Sequence, residues 1–331
     1  MRHVLFLLGV EDSNLVRVHS VTADGADYVL GGNIDLYRDL RHPGIRHSLA
    51  ALGGLTPKTP TVRKPDLVFN CISDADTNRK SLALAIDAMN ALGLPVLNDP
   101  ARVLETRRDE VAAKLAGIPG IRVPKVLRFA PTSHREILDL LEQGPVRYPA
   151  LLRRAGTHGG VSMLHLRSAD DAVLLEQIAC DGSEYYLIEF VDFRSPDGHY
   201  RKMRLVVVDG VVHARHRLVG DHWNVHASVR GSTMKDNPAF AAEEAQFLAG
   251  FNAGAATPWR GAIAEIQRRL GLDYFTIDCA ELADGSLLIF EANASGNALR
   301  QKDMNLFPYL APHVNRLREA VAAMLLRPRG T

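Results

Sequence analysis

Residues 287–299 read LLIFEANASGNAL, an apolar run that continues directly into acidic and amide side chains. If this stretch is a strand, Glu291 and Asn293 share a face, because residues two apart on a strand point the same way. A carboxylate that continues a buried strand is costly unless a charged partner or a metal ion neutralises it. The stretch therefore predicts a functional site.

An Asp-Gly pair at 284–285 separates this strand from an earlier apolar one. Such a pair favours a two-residue hairpin loop with both residues at positive φ. If Ala283 then pairs with Ser286, Asp278 lies directly opposite Glu291, with Cβ atoms about 4.5–5.5 Å apart. Facing like charges destabilise a sheet, so we expect a positive group between them and a raised pKa for at least one of the two carboxyl groups.

The positive group that this pattern favours is Mg²⁺, which takes oxygen ligands from one or two carboxylates and completes its shell with water and phosphate oxygens. The hairpin alone leaves two other interpretations open. The carboxylates could lie in solvent, or they could share one proton. A phosphate-binding segment elsewhere in the chain would favour the metal.

The glycine-rich segment AGTHGG (155–160) is a candidate for that role. Between two strands, such a loop brings backbone N–H groups close to an anion without interference from Cβ atoms. Arg153 and Arg154 precede it, and only one of two successive strand residues can face inward. Lys114, on a predicted helix upstream, adds a further cation. Together these residues predict a phosphate site.

The composition is that of an ordinary globular protein, with 331 residues, 47% hydrophobic and 23% charged. The formal net charge of +1 predicts neither a nucleic-acid nor a membrane partner. Three scattered cysteines without CxxC spacing fit a reducing compartment, no cleavage pattern follows the first apolar run, and no apolar stretch is long enough for a membrane helix. We therefore expect a cytoplasmic protein.

The first hundred residues alternate strand and helix patterns. Strands are predicted at 4–10, 66–71 and 94–98, with a helix at 78–93 that ends at Gly93. This βαβ order predicts a parallel sheet. The segment 20–64 gives no clear prediction.

Further along, helices are predicted at 103–117, 170–179 and 311–326. The segment 200–219 predicts a hairpin that turns at Asp209-Gly210.

In this order the elements at 66–300 resemble those of the ATP-grasp ligases, and IDCAEL…LIFEANASG is the most specific part of the resemblance. The most similar branch contains glutathione synthetase and the ribosomal-protein glutamate ligase. The resemblance implies an α/β (α+β ATP-grasp) fold in which two α+β subdomains clamp ATP. It implies an N-terminal, Rossmann-like parallel-sheet domain at 1–100, a central subdomain with the glycine loop at 101–185, and a C-terminal subdomain with the metal site at 186–331.

The resemblance also implies roles for individual positions. Asp278, Glu291 and Asn293 match the ligands of two Mg²⁺ ions, with Mn²⁺ as an alternative, that bridge the ATP phosphates. The implied phosphate contacts are Lys114, Arg153 and the loop residues Thr157, His158, Gly159 and Gly160. The family usually has Lys-Pro where this chain has Arg153-Arg154, and Arg preserves the charge and a bidentate fork.

The hinge that recognises adenine is matched by Glu189 with the backbone of Phe190 and Val191, and Asp192 matches the residue that holds the ribose. The implied catalytic residues are Arg204, near the transferred phosphoryl group, Asn224, facing the acyl phosphate, and Arg217.

The implied activity is an ATP-dependent, ADP-forming ligation of a carboxylate to an amine through an acyl phosphate. The substrates would be small molecules or peptides, and a homo-oligomer is possible. Two alternatives stay open. One is a non-catalytic protein that binds a nucleotide or a partner with the same fold, and the other is a ligase that crosslinks peptides through ester or amide bonds.

Four histidines lie close together in the sequence at 213, 216, 222 and 226. The spacing of His222 and His226 could hold Zn²⁺ if the segment were helical, whereas polar lining of an acceptor pocket is the favoured interpretation. Nearby basic residues could hold an acidic substrate or form a solvated strand face; they are Arg201, Lys202, Arg215 and Arg217.

Overall fold

The computed structural model describes residues 1–23, 25–53, 64–160, 162–253, 258–300 and 305–329. Within these ranges the chain forms three sheets of four or five strands and one two-stranded ribbon. In the same ranges, no helix combines the length and the apolar composition that a membrane crossing requires.

The N-terminal part is built on a parallel sheet, as the βαβ pattern predicts, with strand order β4-β1-β5-β6. Its central strands are buried and apolar, which is typical of a sheet covered on both faces. Part of the unassigned segment 20–64 forms an exposed ribbon and an edge strand, and 24 and 54–63 lie outside the described residues. The elements are β1 (Arg2–Gly9), β2 (Arg17–Thr22), β3 (Gly25–Val29), α1 (Leu36–Asp39), β4 (Ile45–Leu52), β5 (Leu67–Asn70), α2 (Arg79–Leu92) and β6 (Val96–Leu97).

The central part is an antiparallel sheet with strand order β10-β9-β11-β8. A 3-10 helix (Ala169–Gln177) replaces the helix predicted at 170–179. The elements are α3 (Pro100–Leu104), α4 (Arg108–Leu115), β7 (Ile121–Arg122), β8 (Val126–Phe129), α5 (His134–Gln143), β9 (Ala150–Arg154), β10 (Leu164–Leu166) and β11 (Tyr185–Glu189).

The single helix predicted at 103–117 is wrong, because the chain leaves the helical conformation between α3 and α4. The Thr106 hydroxyl donates to the carbonyl of Val103 at 2.6 Å, and Arg107 has an extended ψ of 150°. A side chain that bonds the preceding turn competes with continuation of the helix. As a consequence, a new helix begins at Arg108.

The C-terminal part is a sheet with strand order β13-β12-β14-β15-β7. The predicted hairpin at Asp209-Gly210 is confirmed, since Val208 pairs with Val211 and both turn residues have positive φ. The elements are β12 (Tyr200–Val208), β13 (Val211–Gly220), a 3-10 helix (Ala227–Gly231), α6 (Thr233–Asp236), α7 (Pro238–Asn252), α8 (Arg260–Leu270), β14 (Tyr274–Glu281), β15 (Leu287–Asn293) and α9 (Leu310–Leu326).

The hairpin of β14 and β15 confirms the predicted pair but not the predicted turn. The loop has three residues, 283–285, because Leu282 donates to the carbonyl of Ser286, and Gly285 takes the positive φ of 81°. This shifts the pairing by one residue relative to the two-residue loop. A β-bulge at Phe290 restores the register, so that Asp278 still lies opposite Glu291.

Candidate active site

A cleft of about 380 Å³ lies over the C-terminal sheet and is closed on its other side by the glycine loop. Its floor is formed by β12, β14 and β15, where Arg204, Asp278 and Glu291 occupy neighbouring strands in register. Asn293 lies two residues beyond Glu291 and also lines the cleft. The predicted metal-ligand face therefore points into a cavity of the size that holds small molecules, about 300–1,000 Å³.

Asp278 is neutralised by two cations from β12. Arg204 donates to both carboxylate oxygens, from Nε at 2.6 Å and Nη2 at 2.8 Å, and Lys202 Nζ lies 2.8 Å from Oδ2. Burial alone would raise the pKa of Asp278, but the charges of Arg204 and Lys202 hold it well below its usual range. The carboxylate is therefore ionised.

Glu291 is neutralised from a different element, at the start of α4. Arg108 donates from Nη2 to Oε2 of Glu291 at 2.9 Å and from Nη1 to the carbonyl of Phe290 at 2.7 Å. Burial would raise the pKa of Glu291, yet the charges of Arg108, His158 and Arg153 together outweigh it and lower the pKa to about 2. The expectation of a raised carboxyl pKa is wrong, because three cations compensate the facing carboxylates.

The donor set fits a magnesium ion. Two ionised carboxylates and an amide provide hard oxygen ligands on one face, and Mg²⁺ in protein sites characteristically keeps water and phosphate ligands beside one or two carboxylates. Over the described ranges there is no cluster of three or more His, Cys, Asp or Glu side chains that could cage a metal by itself. The residues thus suit a metal that arrives with phosphate, provided that Arg204, Lys202 and Arg108 release the carboxylates.

Arg153 faces the cleft, whereas Arg154 is exposed, as strand alternation requires. The Arg153 guanidinium donates to the carbonyl of Thr157 in the glycine loop. Burial, with the nearby charge of Arg108, lowers the pKa of Arg153 to about 10, so the group stays protonated at neutral pH. Arg153 is positioned to meet an anion under the loop.

Lys114 does not share this position, and the structure does not bring it to the other predicted phosphate contacts. It lies in the last turn of α4, where its Nζ pairs with Oε2 of Glu105 at 2.6 Å outside the cleft. The cation that α4 contributes to the cleft is Arg108. The prediction of one continuous helix at 103–117 missed the break at 105–107, and this break places Arg108 at the start of α4.

The glycine loop touches the segment that follows β13. Asn224 donates from Nδ2 to the carbonyl of Gly160 at 3.3 Å, and both residues line the cleft with His158, Gly159 and His226. A Cβ atom at Gly160 would lie 2.3 Å from Nε2 of His226 and 2.5 Å from Oδ1 of Asn224. A side chain at position 160 would require His226 and Asn224 to shift, and the positive φ of 66° also favours glycine there.

Thr157 is held within the loop, since its hydroxyl donates to the carbonyl of Arg154 at 2.6 Å. Thr157 lines a smaller adjoining cavity of about 60 Å³, as do Arg153 and Glu291. The loop is therefore fixed at both ends in this conformation.

The predicted hinge lies at the end of β11. Glu189, Phe190 and Val191 line the cleft beside an apolar slot. The N–H groups of Glu189 and Phe190 already donate to the carbonyls of Lys125 and Pro149. Asp192 turns outward, with Oδ1 accepting from the N–H of Arg194 at 3.0 Å, so the structure does not bring it to the cleft.

Arg217, predicted as a catalytic residue, does not lie with the other predicted site residues. Arg217 pairs with Met203 across the sheet and therefore lies on the face opposite to Arg204. There its Nε lies 3.2 Å from Oε1 of Glu243 on α7. It belongs to a structural ion cluster.

His222 and His226 do not form a helical pair, which was the condition for the zinc interpretation. His213 and His216 lie on β13, while residues 221–226 form bends and irregular structure before the 3-10 helix that begins at Ala227. Only His226 reaches the cleft, beside Asn224. The geometry gives no support to a zinc site in this segment.

No family model matches the sequence, and neither does any curated protein. Solved structures are similar over nearly the whole chain. Examples are a RimK domain protein ATP-grasp from Sphaerobacter thermophilus (TM-score 0.53, 15% identity, 98% of this chain and 100% of that chain) and VanG D-Ala:D-Ser ligase from Enterococcus faecalis (0.53, 11%, 98% and 99%). A third is D-alanine–D-alanine ligase from Bacillus anthracis (0.51, 11%, 96% and 99%), which has also been solved with ATP. At such identities the likeness establishes the fold.

Proposed function

Because this chain has the ATP-grasp fold, we propose that it is an ATP-dependent, ADP-forming ligase that joins a carboxylate to an amine. The observation that carries the proposal is the ligand face of Asp278, Glu291 and Asn293 at the floor of a cleft whose other wall presents Arg153 and the glycine loop. Similar solved proteins include D-alanine–D-alanine ligase and a D-Ala:D-Ser ligase, both of which join small molecules. The substrates of this chain would be small-molecule or peptide carboxylates and amines.

In the proposed reaction the chain positions groups and neutralises charge, which is the main contribution of proteins to phosphoryl transfer. ATP would supply the phosphoryl group that activates the carboxylate, and Mg²⁺ would polarise the phosphate oxygens. Arg153 would hold the phosphates from one wall, and Arg204 would reach the transferred group once Asp278 engages the metal. Asn224 lies across the cleft, where it would face the activated carboxylate.

The adenine ring would lie in the apolar slot at the hinge. Leu151, Ile188, Leu288 and Phe290 provide apolar surface beside Glu189. The order of residues along β15 would orient the nucleotide, since Leu288 lies on the turn side of Glu291 and Asn293 lies on the other side. The adenine base, the phosphates and the acceptor substrate would follow one another along β15 in that order. The proposed domains around this cleft are 1–100, 101–185 and 186–331.

The direct test is to incubate the protein with Mg-ATP and pooled amino acids and peptides, then to follow ADP by a coupled assay and products by mass spectrometry. We expect ADP release that depends on both a carboxylate and an amine, with an amide product. ATP binding without ADP release in any pool would favour a non-catalytic nucleotide-binding protein. Ester products or crosslinked peptides would instead favour the peptide-modifying alternative.

Arg153→Ala is expected to weaken ATP binding by about 1.5–3 kcal/mol, because a charge-assisted contact to phosphate is lost. Arg153→Lys should retain most of the affinity, and the matched control Lys114→Ala should retain all of it, since Lys114 lies outside the cleft. Isothermal titration with an ATP analogue measures the difference. Equal affinities for Arg153→Ala and Lys114→Ala would refute the phosphate assignment.

Gly160→Ala is expected to weaken nucleotide binding more than Gly159→Ala. Both glycines have positive φ, 66° and 71°, so the backbone strain is similar. A Cβ atom at 160 collides with Asn224 and His226, whereas one at 159 meets nothing within 4 Å. The comparison, by titration with an ATP analogue, isolates the contact between loop and cleft wall. Indistinguishable affinities would mean that the loop opens away from residues 224–226 when nucleotide binds.

A further inference from the structure

The glycine loop is bonded to the N-terminal sheet through His158. Nε2 of His158 lies 2.7 Å from Oδ2 of Asp74, which follows β5 at its carboxyl end. The His158 side chain is 51% exposed, on the side of the cleft, and the Asp74 side chain only 6%. A half-exposed ring in the loop is thus held by a buried carboxylate from another part of the chain.

Backbone hydrogen bonds also fix the Asp74 carboxylate, independently of His158. Its Oδ1 accepts from the N–H of Asp76 at 2.8 Å and from the N–H of Thr77 at 3.3 Å. Burial alone would raise the pKa of Asp74, but the hydrogen bond and charge of His158 lower it. An ionised carboxylate only accepts hydrogen bonds, so Nε2 of His158 must donate. The ring orientation is therefore set, and Nδ1 is the ring nitrogen that Asp74 does not engage.

The position of this ring is at the phosphate end of the cleft. His158 lies between Thr157, which accepts from Arg153, and Gly160, which accepts from Asn224. It lines the cleft together with Arg153 and Glu291. A group that develops negative charge beside the metal ligands would meet it.

We propose that His158 is a catalytic residue whose imidazolium donates Nδ1–H to the phosphoryl group during its transfer, and that Asp74 is the positioning residue that orients the ring. The inference rests on the proposed function. In the step, a carboxylate oxygen of the substrate forms a bond to the γ-phosphorus, and the bond from that phosphorus to the β,γ-bridging oxygen breaks, with its electron pair leaving on ADP. His158 transfers no proton, and its charge offsets that of the phosphoryl oxygens.

The surroundings of the ring decide how it titrates. The hydrogen bond that His158 donates to Asp74 raises the pKa of His158, and burial and Arg153 oppose that rise. A raised pKa keeps the imidazolium charged at higher pH, so activity should fall as pH rises through it. The charged and titratable groups around the ring are Asp74, Asp76, Arg153, Glu291, Arg108 and His226.

The test compares pH profiles of kcat for ADP formation. In the wild-type protein we expect an alkaline fall, and in Asp74→Asn the fall should move to lower pH, because the carboxylate that supports the imidazolium is gone. His158→Gln should lose that fall and lower kcat by about 10²-fold, the scale for losing one donor to a developing charge. Asp87→Asn, an exposed carboxylate on α2, is the control and should leave the profile unchanged. Thermal melts establish that each variant is folded, and NMR titration of the His158 ring in the wild-type protein and in Asp74→Asn measures whether its pKa has moved.

Three outcomes are distinguishable. A shifted profile in Asp74→Asn and a lost one in His158→Gln support the inference. ADP formation with the same profile in both variants overturns the inference and leaves the ligase proposal standing. Failure of the wild-type protein to bind Mg-ATP or to form ADP with any substrate pool overturns both.

Discussion

Glu291→Gln should abolish turnover while the protein stays folded. The substitution keeps the shape of the side chain, and its amide oxygen can still accept from Arg108, so the anchor between α4 and β15 survives. The charge that would hold a metal ion is lost. We expect ADP release at saturating Mg-ATP and substrate to fall by about 10²–10³-fold or more, the scale for losing one electrostatic contact in phosphoryl or acyl transfer. Asn293→Ala should have a smaller effect, since a neutral ligand is removed from the same face.

The matched control for this experiment is Glu281→Gln, at the exposed end of β14 in the same hairpin. It changes the same charge without touching the cleft, and turnover should stay at the wild-type level. Mg-ATP should also stabilise the wild-type fold against unfolding by roughly 2.7 kcal/mol at a hundred times its dissociation constant, and metal-free ATP should stabilise it less. Near-wild-type turnover by folded Glu291→Gln would end both the metal assignment and the ligase proposal built on it.

Glu244→Ala should be among the most destabilising single substitutions in the C-terminal part. Glu244 is fully buried and accepts hydrogen bonds from Arg230 Nη1 at 2.6 Å, the Tyr309 hydroxyl at 2.7 Å and the N–H of Arg217 at 3.0 Å. Its removal leaves the Arg230 guanidinium buried against Phe307 without a carboxylate. Breaking a buried ion pair from one side costs about 3–5 kcal/mol. Urea denaturation measures the loss in the free energy of unfolding.

Glu243→Ala is the control at the adjacent position of α7. Glu243 is 28% exposed and pairs with Arg201 and Arg217 in a solvent-screened cluster, so its loss should cost at most about 1 kcal/mol. The double substitution Arg230→Met with Glu244→Leu should recover much of the stability, because no buried charge is then left alone. If Glu244→Ala unfolds no more easily than Glu243→Ala, Arg230 must find another partner or water.

Local periodicity was enough to predict the face that carries Asp278, Glu291 and Asn293. The alternation of a strand is a property of adjacent residues, and a hairpin fixes its own pairing over a few positions. The turn itself was assigned wrongly, because a three-residue loop and a β-bulge compensate one another. Both are defined by hydrogen bonds between strands, and residue types alone do not distinguish them.

The partners of those carboxylates were decided only by the tertiary structure. Arg108 meets Glu291 across 183 positions of the chain, His158 meets Asp74 across 84, and Arg217 and Lys114 turn away from the cleft although their types suit it. The sequence by itself determined the fold class and the face shared by Asp278, Glu291 and Asn293, since these follow from short-range patterns. Which cation neutralises which anion depends on the packing of separate elements, because ion pairs act over a few ångströms in space whatever the distance along the chain.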